Sequence, residues 1–444
     1  MLLTESHLGG SNPSTTAKYV IMKYKLEDFN PKNNKTVCTA AWSHLHLFTD
    51  GKAYPCCLNT TSPYMDYNNK NISEIWNCDK IKKFRIDTLN GIEQPSCVIC
   101  YDREKLGSHS FRMSFWDRTE NEIPEILEST EDDGTVEKIS LIYWDFRFSN
   151  VCNLKCRSCG VTYSSSWGEE LSKFNPSLLG NYPALRQGKS KNILKSLESD
   201  NQYDIVKQIY FAGGEPLITN EHYTILNTLI EKNRTDVKIN YNTNFMNLRF
   251  KSKPVFEWWN QFKDVTLQTS IDGINERGEY IRKGFKMETY VNNLIEVRKN
   301  SPHVKIGASI TVSILNSFHL FDLIDELIFK LEISPNEINV NFVYNPEIYC
   351  IQNLTDNLKE EWLKLYDSRI LKYKLIKKIM NLDNIVIIFN EIKAFIFDKN
   401  TLDENIGDLQ KETKFYDKIR DENVLEIFPE LNELFTMKPK SNLT

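Results

Sequence analysis

Across 444 residues, with 41% hydrophobic and 26% charged side chains, the chain has room for two or three domains and a sizeable core. A net charge of −5 gives no broad basic surface for nucleic acid or an anionic membrane. No run approaches 18 apolar residues, and the polar start MLLTESHLGG lacks a signal-peptide pattern, so the expectation is a cytosolic protein with no nucleic-acid or membrane partner.

In chain order, residues 1–35 read as a flexible lead-in. A cysteine-rich region, 36–125, follows. Nine of the ten cysteines precede residue 160. In a reducing compartment such clustering points to metal or catalysis rather than disulfides. FTDGKAYPCC reads as a β-hairpin turning at Asp50-Gly51. The acidic, turn-prone TENEIPEILESTEDDGTVEK then makes a linker or surface connection.

From residue 138 the pattern changes. Short β-branched and aromatic runs at 139–149, 206–213, 237–244, 265–272, 304–313 and 338–345 alternate with helix-like spacers. That rhythm predicts βαβ units on a parallel sheet, and six units suit an incomplete barrel better than a full eightfold one. The expected fold class is α/β: a partial (β/α)6 TIM-like barrel over 138–350, preceded by an N-terminal cysteine-rich β-hairpin/helix domain. A C-terminal helical extension over 351–444 follows, opening with the amphipathic NLKEEWLKLYDSRILKYKLIKKIMN.

The stretch SNVCNLKCRSCG carries Cys152-x3-Cys156-x2-Cys159 immediately after the first barrel strand. In a parallel α/β fold that loop lies at the carboxyl end of the sheet, where active sites form. Four thiolates normally hold a 4Fe–4S cubane; three leave one iron open for a substrate or cofactor. A zinc site completed by a distant His or by Cys350 is the other reading of the spacing.

This motif, in this place, resembles the radical S-adenosylmethionine (SAM) superfamily. GGEP (Gly213, Gly214, Glu215, Pro216) ends the second barrel strand as the family's glycine-rich motif does. NTN, with Asn244, ends the third, SIDG, with Ser270 and Asp272, ends the fourth, and Arg282 follows. The resemblance implies that the open iron chelates SAM, that the GGEP backbone and Glu215 meet its amino group, and that the later polar residues meet its ribose and carboxylate. A buried sulfonium zwitterion independently requires such paired charges and hydrogen bonds. One departure is Ser158, with Arg157 before it, where the family has an aromatic residue near the adenine.

Farther upstream, Cys38, Gly51, Cys56 and then Cys97-x2-Cys100, with IWN and Arg85 in the gap, resemble the auxiliary-cluster domain called twitch, a shortened SPASM domain. That resemblance implies a second 4Fe–4S cluster on Cys38, Cys56, Cys97 and Cys100. A four-cysteine zinc ribbon fits the same count. Cys57 rivals Cys56, which keeps the glycine-to-cysteine spacing. Cys78 and Cys350 read as packing residues, and His44 and His46 as strand histidines on one face. Ser164 begins a capped helix in SSSWGEE, and Tyr210, Tyr241 and Phe342 read as core.

Taken together, the resemblance implies an enzyme that reductively cleaves SAM to a 5′-deoxyadenosyl radical. That radical abstracts hydrogen from a peptide or from a carbohydrate or other small metabolite, with an external donor such as flavodoxin or ferredoxin supplying the electron. The competing reading is a non-catalytic zinc protein with two cysteine sites.

Overall fold

The computed structural model describes residues 25–438, apart from 60, 106, 108, 181–182 and 377–379; the first 24 residues of the expected lead-in lie outside the described residues. One sheet of nine strands organises the chain: β1 (His44–Leu47), β2 (Lys52–Tyr54), β3 (Met65–Asp66), β4 (Tyr143–Phe146), β5 (Gln208–Phe211), β6 (Lys238–Thr243), β7 (Val265–Ser270), β8 (Lys305–Val312) and β9 (Ile338–Phe342). Their order in space is β9-β8-β7-β6-β5-β4-β1-β2-β3.

Strands β4 to β9 pair in parallel, one at the core of each run expected from the sequence. These six are the partial barrel. The hairpin β1–β2 turns at Asp50-Gly51 as the sequence predicts. It does more than hold cysteines: β1 runs parallel to β4, with His46 opposite Asp145, so the cysteine-rich region extends the barrel sheet.

Helices cover one face of this sheet. Trp144 of β4 meets Tyr203 at 5.1 Å, Phe211 of β5 meets His222 at 4.6 Å, and Tyr241 of β6 meets Trp259 at 5.7 Å between ring centroids. On the other, inner face, residues at the intervening positions of β5, β6, β7 and β9 are half-buried or exposed. Purely parallel sheets are normally buried on both faces, so this open polar face marks the barrel interior. Tyr241 is core as expected, whereas Tyr210 alternates onto the inner face and is half-buried. The period of two along a strand decides this, and aromatic character does not.

Around the hairpin, the segment from residue 25 is anchored. Phe29 is buried edge-on against Trp42, and the Asn34 amide donates to the carbonyls of Thr88 and Leu89 at 3.3 and 3.1 Å. Arg85, on helix α1 (Asp79–Leu89), is fully buried. It lies over Trp76 and donates to Ala41 O, Asn77 Oδ1 and Gly134 O. That network is the physical content of the IWN…Arg spacing: a buried guanidinium needs acceptors for its donors, and Asn77 and the acidic connection accept from Nη1, while Nη2 makes no hydrogen bond among the described residues. The connection is therefore pinned to α1, with Lys82 and Asp133 paired at 2.8 Å.

Two later groups of helices complete the molecule. Helix α2 (Ser165–Phe174) follows the cysteine loop. Helices α3 (Asp356–Ile376), α4 (Asp383–Asp398) and α5 (Leu402–Arg420) form the C-terminal layer. Its amphipathic first helix buries Trp362, whose indole donates to Ser317 O, and Phe389 of α4 stacks on Phe321 at 4.2 Å.

Candidate metal and cofactor centre

The loop bearing Cys152, Cys156 and Cys159 leaves β4 at the carboxyl end of the sheet, as the spacing implied. Its shape is held from three sides. Ser164 and Ser166 donate to the carbonyls of Leu154 and Cys152, Ser165 Oγ accepts from Cys152 N, and the Trp167 indole donates to Cys156 O at 2.8 Å. SSSW is thus more than a helix cap: it supplies hydrogen bonds that an irregular, recessed loop cannot make to itself. On the opposite side Lys155–Cys156 pairs antiparallel with Arg282–Lys283, Arg282 facing Cys156.

Polar hydrogens point at the sulfurs. The Leu154 N–H and the Asn244 amide approach Cys152 Sγ at 3.5 and 3.8 Å, and Arg282 Nη1 approaches Cys156 Sγ at 3.8 Å. Burial, and after it the neighbouring sulfurs, push the Cys152 thiol up and Cys159 up to about 12; burial also raises Cys156. Thiolates so crowded need positive charge, and an iron–sulfur cluster supplies it while these donors stabilise its sulfurs. The residues therefore fit a cluster held by three thiolates.

GGEP lies against this loop. Gly213 turns at φ +124°, and a Cβ on Gly214 would sit 2.1 Å from Val151 O, so only glycine permits the approach. Glu215 N donates to Val151 O at 2.7 Å. The buried Glu215 carboxylate accepts from Leu217 N, the Thr243 hydroxyl and Asn244 N. Burial pushes it up to about 7. Its side chain is accordingly spent on joining β5 to β6 through NTN, leaving backbone atoms of the turn for a ligand; Pro216 opens the short helical turn that follows. Asn244 bridges to Asn153 at 2.7 Å. Ser270 ends β7 half-buried. Asp272 is buried, accepts from Thr311 N and pairs with Arg282 Nε at 2.7 Å. The structure thus brings all the residues expected around the nucleotide to one end of the sheet, next to the three cysteines.

Arg157 turns away from this centre. Fully buried, it lies 3.8 Å from the Tyr280 ring centroid, and Nη2 donates to Asp417 and Glu422, both at 2.7 Å. Glu170 of α2 accepts from Lys155 and from Arg420 of α5. The C-terminal layer thereby clamps the cysteine loop, a role that no local pattern signals.

The second cysteine group surrounds a small cavity lined by Cys38, Cys56, Cys97 and Cys100, with Ala40, Phe84, Tyr101 and Phe115 among its apolar walls. The Asn59 amide donates toward Cys97 Sγ at 3.8 Å. Burial, and then neighbouring thiols, push Cys38 and Cys56 up, and Cys97 to about 11. Four thiols around an apolar cavity fit a closed cluster. Cys57 does not line it. Burial raises Cys57 to about 12, opposed by Arg147, and its charged neighbours are Asp145 of β4 and Arg147 just beyond that strand's end. There Arg147 grips Asp145 with two hydrogen bonds of 2.8 and 2.9 Å, and His46 Nδ1 lies 3.1 Å from Asp145. Against the burial that would raise it, Arg147 and His46 hold Asp145 well below the usual carboxylate range. Sequence reading missed this trio, although Asp145 and Arg147 stand two apart on one strand face.

Two family models match: the radical SAM superfamily over residues 146–312, and the SPASM iron–sulfur cluster-binding domain over 38–102. Among solved structures, "Native anSMEcpe with bound AdoMet and Cp18Cys peptide" is 18% identical, covering 48% of this chain and 58% of that chain, at a TM-score of 0.30. "Structure of TYW1 with a lysine-pyruvate adduct bound" is 13% identical, covering 54% and 72%, at 0.25. The chain thus spans under two thirds of the length of the first of these. No curated protein matches. Both family models fall on the two cysteine centres: the chain carries a radical SAM domain over 146–312 and, ahead of it, a SPASM-type iron–sulfur cluster-binding domain over 38–102.

Proposed function

We propose that the protein is an enzyme that reductively cleaves SAM at a 4Fe–4S cluster held by Cys152, Cys156 and Cys159 and uses the radical produced to take hydrogen from a substrate. When bound, the cluster and SAM supply the one-electron chemistry. The chain supplies three thiolates, the Gly213–Pro216 turn whose backbone approaches the ligand, and Asn244, Ser270, Asp272 and Arg282 as polar partners. The Asp272–Arg282 pair holds a guanidinium beside Cys156 and keeps its orientation when the site is closed to water.

The observation that carries this reading is the loop of three buried thiols joined through Arg282 and Asn244 to the neighbouring strand ends. The auxiliary cluster would sit on Cys38, Cys56, Cys97 and Cys100, with Cys57 outside it. A peptide or a small polar metabolite is the substrate, a flavodoxin- or ferredoxin-type protein the electron donor, and a reducing cytoplasm the setting that keeps ten thiols free.

Anaerobic reconstitution tests the proposal. The protein should be brown with about eight irons per chain, and SAM with dithionite should release 5′-deoxyadenosine. Cys156→Ala should abolish release, while Cys97→Ala should leave part of it. Colourless protein with stoichiometric zinc would support the non-catalytic reading instead.

A further inference from the structure

The inner face of the barrel sheet holds more hydrogen-bonding capacity than the protein uses. Alternation places Asn240 and Asn242 of β6, Gln268 and Ser270 of β7, and Asn339 and Asn341 of β9 on it. Asn341 donates to Ser309 Oγ of β8 at a long 3.3 Å. Among the described residues, the side chains of Asn240, Asn242, Ser270 and Asn339 make no hydrogen bond. Gln268 Oε1 is buried and also unpaired. A Cβ on Gly307, opposite Gln268 on β8, would stand 2.6 Å from Gln268 Nε2. The glycine therefore makes the room in which this amide lies.

A buried carbonyl oxygen without a donor lowers stability. Such departures from a well-satisfied interior are expected where a ligand completes the bonding. Three further features say what kind of ligand. β6 and β7, which carry Asn242 and Gln268, are interior to the sheet with both edges already paired, so a ligand lying across them is held by side chains and not by extending a ladder, as a peptide strand would be at an edge. Two guanidiniums at the carboxyl ends, Arg147 and Arg282, are each already held by a carboxylate. Each side-chain amide offers both a donor and an acceptor, which is what a hydroxyl group also offers in return. The row crosses four strands, about 14 Å at the usual spacing, enough for an extended ligand.

We propose that the substrate is an uncharged, polyhydroxylated molecule of the carbohydrate class, held across β6, β7 and β9 by these amides. The proposal rests on the radical SAM reading of the same barrel.

The test uses the reconstituted holoenzyme with SAM and dithionite, and a low-molecular-weight cell extract split by ion exchange into neutral, anionic and cationic fractions. The neutral fraction should raise 5′-deoxyadenosine release above the unsupplemented rate. Periodate, which cleaves vicinal diols, should remove the effect, and protease should not. Stimulation confined to a charged fraction, stimulation destroyed by protease, or unsupplemented release that no fraction raises would each overturn the carbohydrate assignment. Absence of unsupplemented release refutes the underlying reading, and the assignment with it. Gln268→Leu should raise the amount of neutral fraction needed for half-maximal stimulation at least tenfold. Because it removes an unpaired buried oxygen, its urea midpoint without extract should not fall. An unchanged half-saturation would also overturn the proposal; should the midpoint fall, Asn242→Ala, at a half-buried position, makes the same measurement.

Discussion

Arg157 offers the sharpest test of how the cysteine loop is held. Its side chain is completely buried, Asp417 and Glu422 are each 13% exposed, and both ion pairs measure 2.7 Å. Replacing it by Met keeps the stem packed on Tyr280 but removes the charge. Removing one partner of a buried pair costs about 3–5 kcal/mol, because the remaining charge is left without compensation. The low end applies here. Asp417 still accepts from the Tyr280 hydroxyl and Val424 N, and Glu422 keeps Lys283. About 3 kcal/mol corresponds to roughly a hundredfold in an opening equilibrium. Hydrogen exchange should therefore quicken roughly a hundredfold across Leu402–Arg420 and the cysteine loop together, with α1 far less affected. Arg157→Lys, which keeps the charge but loses the fork, should fall between. A change below about fivefold, the scale of a solvent-exposed pair, or a change confined to the C-terminal helix, would refute the clamp.

Other predictions address the two centres and the core. Cys56→Ala should cut reconstituted iron from about eight to about four per chain, whereas Cys57→Ala should keep about eight; the reverse pattern would show that Cys57 is the ligand. Gly214→Ala should destabilise the apo chain by about 3 kcal/mol in urea unfolding, the upper part of the overpacking range, because the new methyl meets backbone atoms of Asn150 and Val151 that cannot rotate aside. A wild-type midpoint would show that the turn has slack. His222 is buried with its Nε2 2.7 Å from the Tyr241 hydroxyl, and burial lowers it to about 3. Since its folded value is depressed, the unfolded chain binds the extra proton below about pH 6.5, and stability falls as pH drops from there toward 3. The contribution is about 1.4 kcal/mol per pH unit. His222→Gln should reduce the loss of unfolding free energy between pH 7 and 5 by about 2 kcal/mol, and an unaltered loss would place the effect elsewhere.

What the sequence determined by itself was whatever is encoded by spacing along a few residues. The six barrel strands follow from a period of two with β-branched and aromatic residues, and the hairpin from Asp50-Gly51. The triplet at 152, 156 and 159 is itself local, so three thiols on one loop were legible before any fold. Residues carried to one end of the sheet by consecutive strands, such as Gly214, Asn244 and Asp272, were legible once those strands were ordered.

Tertiary structure alone decided the rest. Cys56 and Cys57 are chain neighbours, so their side chains diverge: one faces the apolar cavity and the other the Asp145–Arg147 pair. The hairpin joins the barrel sheet because β1 meets β4 a hundred residues away. Arg157 finds its acceptors 260 and 265 positions along the chain, and the inner face becomes a polar lining only when four strands stand side by side. Such partnerships have no local signature: a buried charge or amide is satisfied by whatever the fold brings near, and the nearest group in space is seldom near in sequence.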